Sequence, residues 1–288
     1  MFAIAAVLLW STVASAFKIA LRDMHYIQLL WISSGVSAAV LLIALFISGK
    51  IRLIAHLSVR EFLYALALGL LNPFLYYIVL FRAYELLPAQ VAQPLNYTWP
   101  LLMALMAIPF LKQPLGIKGV FAILISFSGV VLISLGGKLP QSASLDIAGI
   151  ALVLGSAVIW ASYWLFTHTQ KTDVLLRLCL GFFFGFICST VLAVSVGEAH
   201  LPSLQGGLAA SYVGLFEMGI TFLLWAYALK QSTSAALISN LIYVVPFLSL
   251  IVIHFVVGEK IAYSSWTGCA LIIAGLVVHH RRGLIRWK

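Results

Sequence analysis

The chain is a succession of apolar runs long enough to cross a bilayer, and this restricts the folds open to it more than any other feature. A helical span needs roughly 17–25 mostly apolar residues. Ten such runs are read here: Phe2–Ala20, Tyr26–Ser48, Phe62–Tyr84, Pro88–Leu111, Ile117–Leu135, Ile147–Thr167, Val174–Val196, Leu208–Leu229, Thr233–Val257 and Tyr263–His280. Connections are short, the longest being Gly49–Glu61, Gly136–Asp146 and Gly197–Gly207. Backbone polar groups in hydrocarbon must be satisfied internally, which leaves helices or closed barrels. The strand alternation of a barrel is missing. The expectation is an all-α polytopic membrane protein of ten transmembrane helices. Composition agrees: 63% of the 288 residues are hydrophobic and 9% are charged, whereas about a quarter of a soluble domain is charged. The net charge of +9 does not suggest a nucleic-acid partner, because Lys and Arg sit between and after apolar runs instead of clustering with aromatic platforms. Met1 leads into the first run without a basic n-region, so no cleavable signal peptide is read; the abrupt start fits a trimmed N-terminus.

A pattern then occurs twice. Tyr97 and Pro100 recur as Tyr243 and Pro246 at one constant offset, which also relates Leu95 to Leu241, Gln113 to Glu259 and Gly129 to Gly275. Trp10-Ser11 and Trp160-Ala161-Ser162 echo each other at a slightly longer offset, and Ala83-Tyr84 and Ala226-Tyr227 form a weaker echo. The chain reads as a duplication, residues 1–140 and 141–288, packed as one compact membrane domain. Five spans per copy is an odd number, so the copies enter the bilayer from opposite sides. Inverted repeats of this kind place a transport site between the copies. With a cytoplasmic N-terminus, the inside holds Lys50, Arg52, Arg60, Lys112, Lys118, Lys171, Arg177, Lys230, Arg281, Arg282, Arg286 and Lys288, against Lys18, Arg22, Arg82, Lys138 and Lys260 outside. That bias favours both termini inside.

The fourth run, with Gln90, Gln93, Pro94, Asn96, Tyr97, Thr98, Trp99 and Pro100, is too polar for lipid. Each proline removes a backbone donor, and broken backbone at membrane depth is tolerated where it is buried or lines a wet cavity. Gln93, Asn96, Tyr97 and Pro100 share one helical face by spacing. They read either as a substrate-lining face beside a hinge or as interhelical hydrogen-bonding groups. In the ninth run Ser239, Asn240 and Tyr243 precede Pro246 in the same way, so Pro94, Pro100 and Pro246 are candidate hinges. Asn72, Pro73, Tyr76 and Tyr77 lie together in the third run. Trp10, Trp99, Trp160, Tyr163 and Trp164 lie within runs, although Trp and Tyr usually gather at membrane interfaces. They read as core packing or as cavity walls that stack on rings and attract ammonium groups.

Glu217 is the one acid well inside a run, a functional candidate because an isolated charge there is costly. It suits a substrate amine or a proton; the plainer reading is a protonated acid bonded to a neighbouring Tyr, Ser or carbonyl. Lys18 and Arg82 lie near enough to run ends to snorkel. The lack of a deep Lys or Arg argues against phosphate-bearing substrates. Gly181 and Gly185 form a Gly-x-x-x-Gly pair suited to close helix packing, and His254 reads as structural. Cys179, Cys188 and Cys269 lie in apolar segments and read as small buried hydrophobes. No hydrolase, phosphate-loop or metal motif is present, so neither an enzyme, a cofactor nor a metal is expected.

The stretches Ala89–Pro114 and Ala226–Lys260, with a proline in the fourth and ninth runs and Gly258-Glu259-Lys260 after the latter, resemble the EamA-type branch of the drug/metabolite transporter superfamily. Lys112-Gln113 departs from the Gly-Glu pattern in the first copy. The run Pro88–Pro100 is similar to aromatic amino acid exporters of that branch. The resemblance implies a secondary transporter in the cell inner membrane that exports amino acids, preferably aromatic, by alternating access. It implies lining roles for Trp10, Asn72, Tyr76, Tyr77, Gln93, Asn96, Tyr97, Trp99, Trp160, Tyr163, Glu217, Asn240 and Tyr243. The expected partners are an amino acid and the bilayer, with the protein a monomer or weak homodimer. The alternatives are export of other metabolites or cationic drugs, or a non-transport membrane protein.

Overall fold

The computed structural model describes residues 1–111, 117–134, 146–167, 172–231 and 241–280, and every regular element among them is helical. α1 (Phe2–Asp23) and α2 (Tyr26–Ile47) run unbroken. A 3₁₀ turn, Lys50–His56, leads to Ser58, which opens α3 (Val59–Gly69) through a reciprocal capping box with Glu61. The third span then passes through a π turn, Leu70–Leu75, into α4 (Tyr76–Leu86). The stretch that follows is two helices, α5 (Ala89–Asn96) and α6 (Trp99–Leu111). α7 (Ile117–Ser134), α8 (Ile147–Thr167) and α9 (Val174–Ser195) are continuous. The stretch Leu204–Gln231 repeats the device of Val59–Leu86: α10 (Leu204–Tyr212), a π turn Val213–Glu217, and α11 (Ile220–Gln231). A 3₁₀ turn, Ile242–Val244, precedes α12 (Val245–Val252), a third π turn Ile253–Val257, and α13 (Tyr263–His280).

Among the described residues, six helical segments are long and apolar enough to cross a membrane: Phe2–Asp23, Tyr26–Ile47, Val59–Leu86, Ile147–Thr167, Val174–Ser195 and Leu204–Trp225. Gly119–Ile133, Ile242–Val257 and Tyr263–Val278 are apolar but shorter. The chain is therefore a multi-pass membrane protein. Large apolar side chains such as Phe46, Ile47, Phe127 and Val191 point outward, as a lipid-facing surface requires.

The most extensive packing joins residues before 135 to residues after 146. α7 lies on α13, α2 on α9, α4 and α6 on α8, α3 on α9, and α1 on α10, α11 and α12. The glycine pair of α9 provides one of these contacts. Cβ atoms at Gly69 and Gly185 would press on Gly181 and Pro73; at Gly185 the added carbon would lie 2.7 Å from Pro73 Cδ. Gly69 and Gly185 thus let the kinked third span and α9 approach at backbone distance.

Candidate functional site

The breaks in the helices converge on one buried region. Asn72 adopts an extended conformation (φ −146°, ψ 120°) inside the first π turn, one helical turn before Tyr76. Glu217 ends the second π turn. π turns free backbone groups and concentrate at functional positions. The two occur at the register that relates Ala83-Tyr84 to Ala226-Tyr227. The other pair of breaks, Tyr97–Thr98 and Ile242–Val244, follows the Tyr-Pro register.

The prolines do not all act as expected. Pro94 lies inside α5. Pro100 falls in the first turn of α6 and Pro246 at the start of α12, where a missing N–H costs nothing. They mark where a new helix segment begins, and the bend sits at the residues just before them.

Around these breaks lies a hydrogen-bonded core. The Tyr76 hydroxyl donates to Asn96 Oδ1 at 3.2 Å, and Asn96 Nδ2 donates to Ser156 Oγ at 3.0 Å. Tyr77 donates to Glu217 Oε1 at 3.0 Å, and Tyr84 donates to Gln93 Oε1. Trp160 forms the wall: its ring lies 4.6 Å from Tyr76, 5.9 Å from Tyr163 and 5.6 Å from Phe222. Phe222 continues to Trp10, which lies 5.3 Å from Trp225.

Thus Asn72, Tyr76, Tyr77, Gln93, Asn96, Trp160, Tyr163 and Glu217 come together. Tyr97, at the break at 97–98, packs against a second cluster built on Trp10, Trp225 and Val245 while staying within electrostatic reach of Glu217 and Tyr76. Trp99, Trp164 and Tyr243 touch both clusters. Asn240 lies outside the described residues. Sequence reasoning missed Ser156, Phe222 and Trp225. Ser156 looks like any helical serine, and the two aromatics look like core in an aromatic-rich span; only the fold brings them beside Asn96 and Trp10.

Several buried polar atoms in this region have no hydrogen-bonding partner among the described residues. They are Asn72 Nδ2 and Oδ1, Gln93 Nε2, Trp164 Nε1 and Glu217 Oε2; the Tyr163 hydroxyl lies toward the Asn72 side chain. Orphaned buried donors and acceptors cost about 1–3 kcal/mol each, so a cluster of them calls for an explanation.

The end of the bundle at Asp23 is tied by polar contacts. Glu259 accepts from Ala89 N–H at 2.8 Å and from Gln90 N–H at 3.1 Å, capping α5. Gln90 donates to the Lys260 carbonyl and accepts from Ala262 N–H and Ser265 Oγ. Lys18 and Arg82 do not simply snorkel. Lys18 Nζ donates to the carbonyls of Tyr84 and Leu87, at 2.8 and 3.0 Å, and satisfies the open end of α4. Arg82 pairs with Glu85 and lies over the Tyr26 ring. At the other end Lys50 meets Asp173 at 2.5 Å, while Asp173 Oδ1 caps α9 through Leu175 and Leu176. Burial raises the Asp173 carboxyl, but the Lys50 ammonium and these N–H donors outweigh it and hold it below its ordinary value.

The sequence profile of the EamA-like transporter family matches residues 1–135 and 147–279. An uncharacterized transporter of Clostridium kluyveri is 27% identical over 188 residues, 62% of this chain and 60% of that protein. An uncharacterized transporter of Archaeoglobus fulgidus is 26% identical over 274 residues, 93% of this chain and 92% of the other. A probable terminal-alkyne amino-acid exporter of Streptantibioticus cattleyicolor is 27% identical over 208 residues, 69% of this chain and 66% of the other. One crystal structure superimposes over 98% of this chain and 96% of that one with a TM-score of 0.67; at 23% identity the likeness is one of fold.

Proposed function

We propose, from the premise that this chain belongs to the EamA-like transporter family, that this membrane transporter exports amino acids, aromatic ones by preference. One observation carries the reading: unpartnered buried donors and acceptors surround an aromatic wall. Asn72 Nδ2, Gln93 Nε2 and Trp164 Nε1 suit a carboxylate; Asn72 Oδ1 and Glu217 Oε2 suit an ammonium group. The Tyr76–Trp160 pair offers ring faces to an aromatic side chain. A zwitterion with a flat apolar tail satisfies all three features. The probable amino-acid exporter among the relatives supports the substrate class.

Two further observations support alternating access by inverted repeats. The helix pairings keep their pattern when the five spans of one half are exchanged for those of the other, as α1 on α10, α11 and α12 answers α8 on α4 and α6. The breaks also recur in register. A site between two such halves opens to either side by rocking one against the other. Lys18, Arg22 and Arg82, assigned to the outer side, all have protein partners. Their presence there has structural reasons, which strengthens the Lys and Arg bias toward cytoplasmic termini in an inner membrane.

The test is ligand-dependent thermal stabilisation of the purified chain in detergent. At about 100 times Kd a ligand adds roughly 2.7 kcal/mol. Phenylalanine and tryptophan are expected to raise Tm, with small aliphatic amino acids weaker. A rise with cationic dyes and none with amino acids would overturn the substrate assignment.

A further inference from the structure

We propose that Glu217 is a proton-exchange site, so that each amino acid leaves in exchange for a proton. This rests on the export reading above and goes beyond it, to how transport is driven. The geometry carries it. Glu217 is 7% exposed and stands at the end of a π turn in the middle of its span. One oxygen, Oε1, is held by the Tyr77 hydroxyl at 3.0 Å. The other, Oε2, is buried and has no partner among the described residues. Tyr77 is fully buried and its ring lies 4.6 Å from Tyr76, whose ring lies 4.6 Å from Trp160, tilted by 32°. Glu217 is thereby joined through Tyr77 to the aromatic wall.

The surroundings make its charge depend on a transient partner. The π turn packs on α1, α2, α10 and α11, and α4 meets it through Tyr77. On α1 the charged groups are Lys18, Arg22 and Asp23, all toward the far end; Lys18 and Arg22 are committed to carbonyls there and Asp23 to Ser203. α2 has His25 at its cap, beside Glu198. α10 offers Tyr212, bonded to Thr12. α11 carries Lys230 more than three turns beyond Glu217. α4 offers Tyr76, Tyr77 and Tyr84, with Arg82 and Glu85 paired at its end; Tyr97 follows α5. Among the described residues the groups facing Glu217 are tyrosines, with no fixed cation. An isolated carboxylate in such a place is costly, so Glu217 is charged only when a mobile cation compensates it.

Two cations compete for the position: a proton, and the substrate's ammonium. Binding of the ammonium on the cytoplasmic side releases the proton there. After the amino acid has left on the other side, the carboxylate takes a proton from that side and the empty site returns neutral. One proton enters for each zwitterion exported, and no redox partner is needed. The short backbone repeat of the π turn lends itself to this, because Met218 is fixed by Ser37 Oγ to its carbonyl at 2.9 Å while Glu217 precedes it at the break.

The test uses proteoliposomes containing the full chain, with labelled phenylalanine outside and a more acidic interior. A gradient of about two pH units supports accumulation of up to about 100-fold, since each unit is worth a factor of ten. Wild type is expected to accumulate label transiently above equilibrium and to lose the gain with a protonophore. Glu217→Gln keeps an acceptor for Tyr77 but cannot titrate. It is expected to exchange labelled for unlabelled phenylalanine more weakly at symmetric pH, because the ammonium loses its carboxylate, to show no effect of pH on the exchange that remains, and to lose gradient-driven accumulation. Glu217→Asp, which titrates, is expected to regain it. Accumulation by Glu217→Gln, or identical wild-type uptake with and without the gradient, would overturn the proton role while leaving export intact. Absence of symmetric exchange in wild type would instead remove the export reading and this proposal with it.

Discussion

Replacing Glu259 tests whether the contacts at the Asp23 end hold that face shut. Its carboxylate accepts both Ala89 and Gln90 N–H groups at the start of α5, so it ties the stretch of the family's second match to that of the first. Hydrogen bonds to a charged group are worth roughly 1.5–3 kcal/mol when buried, and a favourable charge at a helix N-terminus adds about 0.3–1 kcal/mol. Glu259 is only half-buried, and water replaces its oxygens once the face opens. The net loss in Glu259→Ala is then about 1–2 kcal/mol, a factor of roughly 5–30 in the open fraction. Glu259→Gln keeps one uncharged acceptor and is expected to lose about half of that. The assay replaces Cys179, Cys188 and Cys269, which are unpaired, and introduces Ser156→Cys beside Asn96 as the reporter. The rate of labelling by a membrane-impermeant thiol reagent, added from the Glu259 side, reads the open fraction. A rate in Glu259→Ala within about twofold of the parent would refute the latch.

Asp173 acts both as a cap and as the partner of Lys50. Asp173→Ala is expected to cost about 1–2 kcal/mol and Asp173→Asn less than 1 kcal/mol, since Asn still caps and a third-exposed ion pair is worth little; thermal unfolding in detergent compares them. Because the folded carboxyl is held below its unfolded value, this stability is present above the unfolded pKa and fades as pH falls through the folded one; Asp173→Asn should flatten that acid limb. Gly185→Ala puts a carbon 2.7 Å from Pro73 Cδ and should lower Tm and the folded yield, because neither backbone can yield without moving the π turn. Tyr97→Ala and Trp99→Ala should reduce transport while leaving insertion and folding measurable; normal flux in both would remove their lining role.

Much of the layout was legible because its physics is local. Apolar run length announces spans, and Glu217 stands out because a lone acid among apolar residues is expensive. Gln93 and Asn96 were legible on a polar face by helical spacing, as Asn72 and Tyr76 were in the third run. The contact of Tyr97 with the Trp10 cluster was not legible, since spacing assumes an unbroken helix and the chain departs from one at 97–98. The π turns at Leu70–Leu75 and Val213–Glu217 were also hidden. Val213–Glu217 contains no proline, and its extra residue per turn arises from packing on α1 and α2. Lys18 looked like a snorkelling side chain, yet it satisfies carbonyls of a helix that lies far away in sequence. Which residues meet across the two halves depends on tertiary packing, which no periodicity within one run records.

The central claim is that a zwitterion with an aromatic tail occupies the chamber between Asn72, Asn96, Trp160 and Glu217. Counterflow of labelled phenylalanine into proteoliposomes preloaded with unlabelled phenylalanine, at symmetric pH, tests it most directly. The account predicts rapid counterflow by wild type and a fall of at least about tenfold, near 1.4 kcal/mol, in Asn72→Ala that folds and inserts normally. Undiminished counterflow in that variant, or none in a well-folded wild type, would contradict it.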